Sequence, residues 1–474
     1  MRVAVIGAGP AGIVAALRAA ELGATTTLLS RGAFGGMAAN DGPVPVRTLA
    51  HAARLARDAR QLAQYGIAAG ETQLDYVRLL NRVQQVVTQV RTHEALRSAL
   101  ERAGVTVVEE AGTVRFVDAN TLEFERGPRL AADRVILCTG GASRRLPIPG
   151  FDLTATHSDA WALSAVPASM LVIGVGATGA QVASVFNELG SHVELFEAGP
   201  RILATEDEDV SAEMAACFRA RGIAVVESFG RIDRFASTSS GVRMIYSNGD
   251  RSQAAEASVA VVAIGWQADT LGLNLAAAGV SPTPRGYVAV DEYLRTSAPH
   301  VFAAGDVTGR MMFVPHAMYD GYAAATNAVQ GLTLVAYDQV SPVGSFTDPE
   351  YAHVGMTEAE ARAGHEIVVA KVPYSEAVRP IIDGHTDGFC KLVVDRATHA
   401  MLGCHIVGER AVELAQIAAV GLASAARVED LARIPWSFPT YTNVFGRAVI
   451  GAARQLNQSG IWSAEELAQP AGQF

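Results

Sequence analysis

A strand, a glycine-rich turn, a helix and a second strand follow one another twice in this chain, and this repeat constrains the fold more than any other feature. The two copies read VAVIGAGPAGIVAALRAAELGATTTLLS and MLVIGVGATGAQVASVFNELGSHVELFE. Glycine lets the chain turn tightly out of the strand, brings backbone N–H groups close to a pyrophosphate and lets the helix pack closely on the sheet. The pattern therefore predicts two Rossmann-like dinucleotide-binding folds. Their turns are formed by Gly7, Gly9 and Gly12 and by Gly174, Gly176 and Gly179.

The residue that ends the second strand differs between the two copies. Glu197 ends it in the second copy, and an acid at this distance from the glycines suits a ribose 2′-hydroxyl and repels a 2′-phosphate. The second site is therefore predicted to prefer NAD(H) to NADP(H); alternatively, Glu197 only ends a strand in solvent. Ser30 holds the same place in the first copy, where it can hydrogen-bond a ribose but carries no charge.

Composition favours an enzyme that acts on small molecules. Of the 474 residues 50% are hydrophobic and 18% are charged, and the net charge is −10, which gives no basic surface for nucleic acid or anionic membrane. We find no apolar run long enough to span a membrane and no signal peptide before the first strand, so we expect a cytoplasmic protein. The four cysteines lie far apart without a C-x-x-C pair, which disfavours a disulfide framework and a metal site.

Two shorter motifs and a C-terminal segment with a different pattern of strands and helices make up the rest of the chain. RVILCTGG, residues 134–141, and HVFAAGDVTG, residues 300–309, each read as an apolar strand that ends in a glycine turn. From about Ser341 the sequence predicts strands with helices packed on them, typical of a separate α+β domain. The predicted fold class is thus α/β, with two Rossmann-like domains followed by an α+β domain.

With these motifs in this order, the chain resembles the FAD-dependent pyridine nucleotide-disulfide oxidoreductases, which include glutathione reductase, dihydrolipoamide dehydrogenase and mercuric reductase. The resemblance covers about residues 1–455. It rests on GAGPAG, the glycine pair at 35 and 36, LCTGG, GVGATG, AIGWQADT, TSAPHVFAAGDVTG, FTDPEYAHVGMTEAEA, GFCKLVVD, MLGCHIVGERAVEL and FPT.

The resemblance implies a domain plan and a set of cofactor-binding residues. It implies an FAD domain of residues 1–150 and 272–335, an NAD domain of 151–271 and a dimerisation domain of 336–474. It also implies a homodimer in which the active site borrows the partner's C-terminal segment. Asp306 would then hold the ribityl or phosphate region of FAD. Further cofactor contacts are expected from Ser30, Gly36, Thr139, Gly140, Gly265 and Gly305, beside the two glycine turns and Glu197.

The sulfur chemistry of that family is missing here. Residues 35–47 read GGMAANDGPVPVR where the family has G-G-T-C-x-N-x-G-C-x-P-S-K, so Ala38 and Pro43 replace both cysteines. A disulfide relay needs a thiolate, which neither residue can supply. Near the C-terminus, Phe438 stands where the family has its proton-shuttling histidine, and Asn443 stands where it has the orienting glutamate.

Other departures suggest residues that act in another reaction. Arg47 replaces a family lysine near the flavin, and Gln181 replaces a glutamate in the NAD helix. Arg47 either stabilises reduced flavin or is a solvated helix residue. Phe438 and Tyr441, with Trp436, either line an apolar pocket across the dimer or fill the interface core.

The primary prediction is an FAD-dependent NAD(P)H oxidoreductase without a redox disulfide. Hydride would pass from NADH to FAD and then to a second nicotinamide, a quinone or another small organic acceptor. Soluble pyridine nucleotide transhydrogenases look similar, since they too have an aromatic residue before Pro-Thr and a Gly-Glu-Arg-Ala run. Two alternatives remain open: a flavin- or nucleotide-binding scaffold without turnover, and a tailoring dehydrogenase of a specialised metabolite.

Overall fold

The first part of the chain builds a parallel sheet and its covering helices. The computed structural model describes residues 1–68, 70, 73–92, 95–336 and 340–457. Up to residue 143 the elements are β1 (Arg2–Ile6), α1 (Pro10–Glu21), β2 (Thr25–Leu29), α2 (Gly36–Asn40), α3 (Pro43–Ala59), α4 (Tyr76–Thr92), α5 (Ala95–Arg102), β3 (Thr106–Val108), β4 (Val114–Phe116), β5 (Thr121–Phe124), β6 (Leu130–Ala131), β7 (Arg134–Leu137) and β8 (Gly141–Ser143).

The second part repeats this plan. Its elements are α6 (His157–Trp161), β9 (Ser169–Ile173), α7 (Ala177–Glu188), β10 (His192–Phe196), α8 (Glu208–Ala220), β11 (Ala224–Val226), β12 (Arg231–Ser237), β13 (Val242–Asn248), β14 (Arg251–Ala257), β15 (Val259–Val262) and β16 (Trp266–Ala268).

The last part returns to the first sheet and then forms a sheet of its own. Its elements are β17 (Val301–Ala303), α9 (Val314–Gln330), β18 (Val343–Ser345), β19 (Tyr351–Gly355), α10 (Glu358–Gly364), β20 (Ile367–Pro373), α11 (Val378–Asp383), β21 (Phe389–Asp395), β22 (Met401–Val407), α12 (Ala411–Ala423), α13 (Val428–Ala432) and α14 (Thr442–Gln455).

Two parallel sheets carry the predicted nucleotide folds. The first has the strand order β17-β7-β1-β2-β3 and the second β11-β10-β9-β15, so in both the strand before the glycine turn lies inside the sheet. Crevices for nucleotides form at the carboxyl ends of such strands. Each fold also contains a three-stranded antiparallel sheet. It is formed by β4 to β6, just before β7, in the first fold and by β12 to β14, just before β15, in the second. The predicted α/β fold class is confirmed.

Small residues let α1 pack closely against α9, which follows the returning strand β17. Alanines of both helices fill one buried core. At Gly321 of α9 an added Cβ would lie only 2.1 Å from the backbone oxygen of Ala11 in α1. This contact fixes the glycine turn against the segment that follows β17.

The C-terminal part has the predicted α+β character. Its five-stranded antiparallel sheet has the order β18-β19-β22-β21-β20, and α12 and α14 pack on it through a second apolar core. The predicted domain boundary at 474 lies outside the described residues. Among the described helices, none combines the length and apolarity that crossing a membrane requires.

Candidate functional site

The first glycine turn is shaped for close backbone packing. Gly7 has φ 110°, and a Cβ there would lie 2.1 Å from the carbonyl oxygen of Cys138. A Cβ at Gly12 would lie 1.7 Å from the oxygen of Gly7. At Gly9, by contrast, the nearest atom to an added Cβ is the Cα of Gly36 at 3.9 Å. The outer glycines therefore serve packing, while the middle one leaves space beside the helix N-terminus.

The second turn repeats this division of roles. Gly174 has φ 88°, and its Cβ would lie 2.6 Å from the oxygen of Ala263. A Cβ at Gly179 would lie 2.0 Å from the oxygen of Gly174, whereas at Gly176 nothing lies within 4 Å. No side chain caps the N-terminus of α1 or of α7. Their first N–H groups therefore remain available to a phosphate.

One cavity of about 830 Å³ runs from the first turn to the helix of the second fold. Its volume lies within the range of ~300–1,000 Å³ that is ordinary for ligand sites. Nine of the predicted site residues line it: Gly7, Gly9, Ser30, Gly36, Thr139, Gly140, Gly305, Asp306 and Gln181. The others do not: Gly12, Gly174, Gly176, Gly179, Glu197, Gly265, Arg47, Phe438 and Tyr441.

The polar groups of the cavity fit the FAD that the sequence predicts. The hydroxyl of Thr139 is buried and lacks a hydrogen-bond partner among the described residues. Burial raises the pKa of Asp306 to about 6, and the nearby carboxylate of Asp320 acts in the same direction. An unmet hydroxyl and a buried carboxyl beside a glycine cradle suit a ligand that carries both hydroxyl groups and a pyrophosphate. Thr139, Asp306 and the turn at Gly9 are the residues that would hold it.

The two strand-end residues make different contacts. Glu197 accepts backbone hydrogen bonds from Val175 (2.9 Å) and Gly199 (2.8 Å), which hold its carboxylate beside the second turn. The Ser30 hydroxyl donates to the carbonyl oxygen of Gly32 at 2.8 Å. The second fold therefore places a fixed negative charge where the first places a neutral group.

Carbon replaces sulfur in the cavity wall. Ala38 and Pro43 both line the cavity. Cys138 lines it too, but it is buried and burial raises the pKa of its thiol, which keeps the thiol protonated. All four cysteines are buried, and none is in a disulfide. Across the described residues no group of three or more His, Cys, Asp and Glu could hold a metal ion.

Gln181 lines the cavity, whereas Arg47 does not. Arg47 forms ion pairs with Glu350 (3.1 Å) and Glu413 (3.2 Å), and its guanidinium lies 4.2 Å from the centre of the Phe346 ring. It therefore reaches the cavity only through Phe346, which lines it. Gln181 lines the cavity directly and donates to a backbone oxygen of its own helix at 3.0 Å.

The C-terminal aromatics do not line the cavity of their own chain. Phe438 is 69% exposed. The Tyr441 hydroxyl donates to Asp383 at 3.1 Å, and Trp436 packs against Phe445 with ring centroids 5.3 Å apart. A role for Phe438 or Tyr441 in catalysis thus requires the cavity of a partner subunit.

Asp41, His157 and Trp161 are among the lining residues that were not predicted from the sequence. Asp41 Oδ2 lies 3.9 Å from His157 Nε2, and Trp161 lies about one turn beyond His157 in α6. Asp41 lies between the two positions at which the family has cysteine, and a carboxylate there was a signal that sequence reasoning passed over.

Comparisons with known proteins agree with this architecture. Residues 1–321 match the pyridine nucleotide-disulphide oxidoreductase model, and residues 341–449 match the dimerisation domain of the same family. The chain is 34% identical to dihydrolipoyl dehydrogenase 2 of Haloarcula marismortui, over 94% of this chain and 96% of that protein. It is 31% identical to the mercuric reductase of Bacillus cereus, over 90% of this chain and 67% of that protein.

Solved structures share the fold over nearly the whole chain. LpdA of Mycobacterium tuberculosis superposes with a TM-score of 0.85 at 25% identity, over 96% of this chain and 99% of that chain. The HOCl-induced flavoprotein disulfide reductase RclA of Escherichia coli gives 0.84 at 24% identity, over 95% and 99%. The chain therefore belongs to the pyridine nucleotide-disulphide oxidoreductase family of FAD- and nicotinamide-nucleotide-dependent oxidoreductases, in a form without the redox-active cysteine pair.

Proposed function

We propose that this protein takes hydride from NADH and delivers it to an acceptor that is not a disulfide. The observation that carries the proposal is a cavity that joins the first glycine turn to α7 and has Ala38 and Pro43 in its wall. Gly7 and Gly9 line this cavity, as a nucleotide site requires, whereas Ala38 and Pro43 carry no sulfur that could pass electrons to a disulfide. The same division favours a quinone, a second nicotinamide or a similar small molecule as the acceptor.

Each nucleotide has its own set of residues in this proposal. FAD would lie along the turn at Gly9, with Thr139 and Asp306 beside it, in a domain of residues 1–150 and 272–335. Bound FAD supplies the capacity to accept a hydride and to pass its two electrons on. NADH would bind the turn at Gly176, where Glu197 would accept hydrogen bonds from the adenosine ribose and disfavour a 2′-phosphate.

Gln181 and the Arg47–Phe346 pair shape the wall between these two sites. The Gln181 side chain is neutral and is held by its own helix, so it orients a ligand through its amide rather than through charge. Arg47 is held by Glu350 and Glu413, and it fixes the ring of Phe346 against the cavity. We therefore assign these residues to positioning the nicotinamide and acceptor rings.

A homodimer fits the exposed position of Phe438. The chain carries the family's dimerisation domain. An aromatic side chain that is 69% exposed in one subunit is typical of a residue covered by a partner. In the proposed dimer Phe438 and Tyr441 would face the acceptor pocket of the partner subunit.

The test is a reduction experiment under argon. The purified flavoprotein is mixed with NADH, and separately with NADPH, and the flavin absorbance is followed. We expect rapid bleaching by NADH, slower bleaching by NADPH, and recovery of the absorbance when a quinone or a nicotinamide analogue is added. Absence of bleaching by both nucleotides would contradict the proposal, and steady turnover of a disulfide without added thiol would overturn its second half.

A further inference from the structure

The cavity wall carries a cluster of polar side chains, Asp41, His157 and Trp161, that the proposed hydride path does not use. Asp41 comes from the turn between α2 and α3, while His157 and Trp161 come from α6, and all three line the cavity. His157 is 5% exposed and Trp161 is 6% exposed. The cluster therefore joins the segment that replaces the family's cysteine loop to the segment that leads into the second nucleotide fold.

Hydrogen bonds connect this cluster into one chain. The Ser158 hydroxyl donates to Oδ2 of Asp41, and the same hydroxyl oxygen lies 3.4 Å from Nε2 of His157. On the other side of the ring, Nδ1 of His157 lies 3.2 Å from the hydroxyl oxygen of Ser143. Because Ser158 gives its only proton to Asp41, the His157 Nε2–H must donate to Ser158, and Nδ1 accepts from Ser143. A proton can thus move along Ser143, His157, Ser158 and Asp41 to the cavity.

Trp161 offers a second polar contact in the same cluster. Its Nε1 is buried and has no hydrogen-bond partner within the described part of the chain. Its ring is fixed by stacking on Phe186, with centroids 6.0 Å apart. An unpaired buried donor is unfavourable, and an oxygen of a ligand in the cavity would supply the missing partner.

We propose that the Asp41–Ser158–His157–Ser143 chain gives a proton to the acceptor, and that the acceptor is a quinone or a related conjugated carbonyl compound. This inference rests on the proposed function and narrows it. Asp41 would take the proton of Ser158 and pass it to one oxygen of the quinone. Ser158 would take the His157 Nε2 proton, and His157 would take a proton from Ser143. The other quinone oxygen would accept from Trp161 Nε1.

Reduction of a quinone and reduction of a second nicotinamide differ in whether they consume a proton. A nicotinamide is reduced by a hydride alone, so it needs no proton from the protein. A quinone becomes a hydroquinone only when it takes one hydride and one proton. NADH supplies the hydride with both electrons and leaves as NAD⁺, and the cluster supplies the proton, which water replaces in each turnover.

The charges around His157 suit a proton donor. Two acids face it, Asp41 from the α2–α3 turn and Asp159 from its own helix. Burial lowers the pKa of His157, and the two carboxylates oppose that effect without cancelling it. A lowered pKa keeps the ring neutral at rest, which is the form in which Nε2–H donates to Ser158 and Nδ1 accepts from Ser143.

The kinetic test compares two acceptors in the same variants. His157→Gln and Ser158→Ala interrupt the chain, and Asp152→Asn is the control because this carboxylate is 93% exposed on the surface. We expect kcat with 2-methyl-1,4-naphthoquinone to fall about 100-fold in the first two variants, the lower end of what general acid catalysis contributes. Reduction of the thionicotinamide analogue of NAD⁺ should stay unchanged in Asp152→Asn and should fall far less than the quinone reaction in the other two variants. An equal loss with both acceptors, or no loss with the quinone, overturns the inference.

A binding measurement separates this inference from the proposed function. 4-Nitrophenol is added to the oxidised flavoprotein without NADH, at a pH at which the free ligand is ionised, and its absorbance shows its ionisation state. Because the Asp41 carboxylate repels a phenolate, the wild type should bind the neutral phenol, and Asp41→Asn should bind the phenolate. If both proteins bind the ligand in the same ionisation state, the inference is overturned. This measurement does not depend on NADH reduction, whose failure would contradict only the proposed function.

Discussion

The two nucleotide folds of this chain have the same architecture but different strand ends. Both place the strand before the glycine turn inside a parallel sheet, and both have a glycine whose Cβ would clash with the backbone five positions earlier. In the first fold neutral Ser30 directly follows the second strand, and in the second fold Glu197 holds that position. The charges are also distributed differently, because the first fold has its buried acid at Asp306, beyond β17.

The comparison separates two functions of the dinucleotide-binding motif, formation of the turn and selection of the nucleotide. The glycines fix the turn and the close packing of helix on sheet, and these requirements are the same for any dinucleotide. The strand end selects the nucleotide through charge and hydrogen bonds. The two folds can therefore be compared by equivalent substitutions, and we expect different outcomes at equivalent positions.

The largest effect is expected from an alanine at the middle glycine of either turn. Gly9 and Gly176 have extended backbones, φ −82° and −81°, that alanine adopts without strain. Both variants should fold, but the methyl group would displace the pyrophosphate from the backbone N–H groups, each worth about 1.5–3 kcal/mol or about 10- to 150-fold in affinity. We expect Gly9→Ala to lose FAD, and Gly176→Ala to keep FAD while its KM for NADH rises. Flavin absorbance of the purified variants and NADH titrations measure the two losses; FAD loss from both would contradict the assignment of the sites.

A pH effect on stability is expected from Asp306 in the first fold. Burial raises the pKa of Asp306 from its ordinary value of 3.8 to about 6, so the folded protein binds a proton more tightly than the unfolded chain does. The stabilisation is complete below pH 4 and is lost as pH rises through about 6, by up to about 3 kcal/mol. In FAD-free protein, the wild type should lose stability relative to Asp306→Asn over this range, measured by denaturant unfolding. Parallel pH profiles of the two proteins would show that Asp306 has an ordinary pKa.

Exchange of the strand-end residues should exchange part of the nucleotide preference. Glu197→Ser removes a carboxylate that would hydrogen-bond the ribose, and the preference for NADH over NADPH should fall about 10-fold. Ser30→Glu adds that carboxylate to the first fold and should tighten FAD binding by a smaller factor, since the Ser30 hydroxyl is already bonded to Gly32. Ratios of kcat/KM for the two nucleotides and FAD dissociation constants provide the measurements. An unchanged nucleotide ratio in Glu197→Ser would place Glu197 in a purely structural role.

Thiol alkylation is predicted to have no effect. The four cysteines are buried, and burial raises the pKa of Cys217 to about 12 and that of Cys138 beyond its usual range. Iodoacetamide added after NADH should leave quinone turnover intact and add no mass to the folded protein. Inactivation that depends on prior reduction would reveal a redox thiol.

The sequence predicted the parts of the site that local geometry controls. Strand ends, both glycine turns and the loss of sulfur at Ala38 and Pro43 follow from neighbouring residues. Arg47 was different, because its partner Glu350 lies 303 positions away and its ring contact comes from Phe346. Only the folded chain shows that Arg47 is held away from the cavity.

The cluster in the cavity wall was hidden for the same reason. Ser158 and Asp41 are 117 positions apart, and no motif links them. Their contact depends on how α3 packs against α7, an arrangement that strand and helix patterns do not encode. A role for His157 cannot be predicted from the sequence, because it depends on the positions of Asp41 and Ser143 in the folded chain.

The most direct test of the central claim is an anaerobic count of electrons. The flavoprotein is titrated with NADH under argon, and the flavin absorbance is recorded after each addition. A flavin without a disulfide partner takes two electrons, so one equivalent of NADH per FAD should complete the bleaching, with no further uptake when dithionite follows. Uptake of four electrons per FAD, or an absorbance band from a thiolate beside the flavin, would show that a sulfur centre survives and would contradict the account.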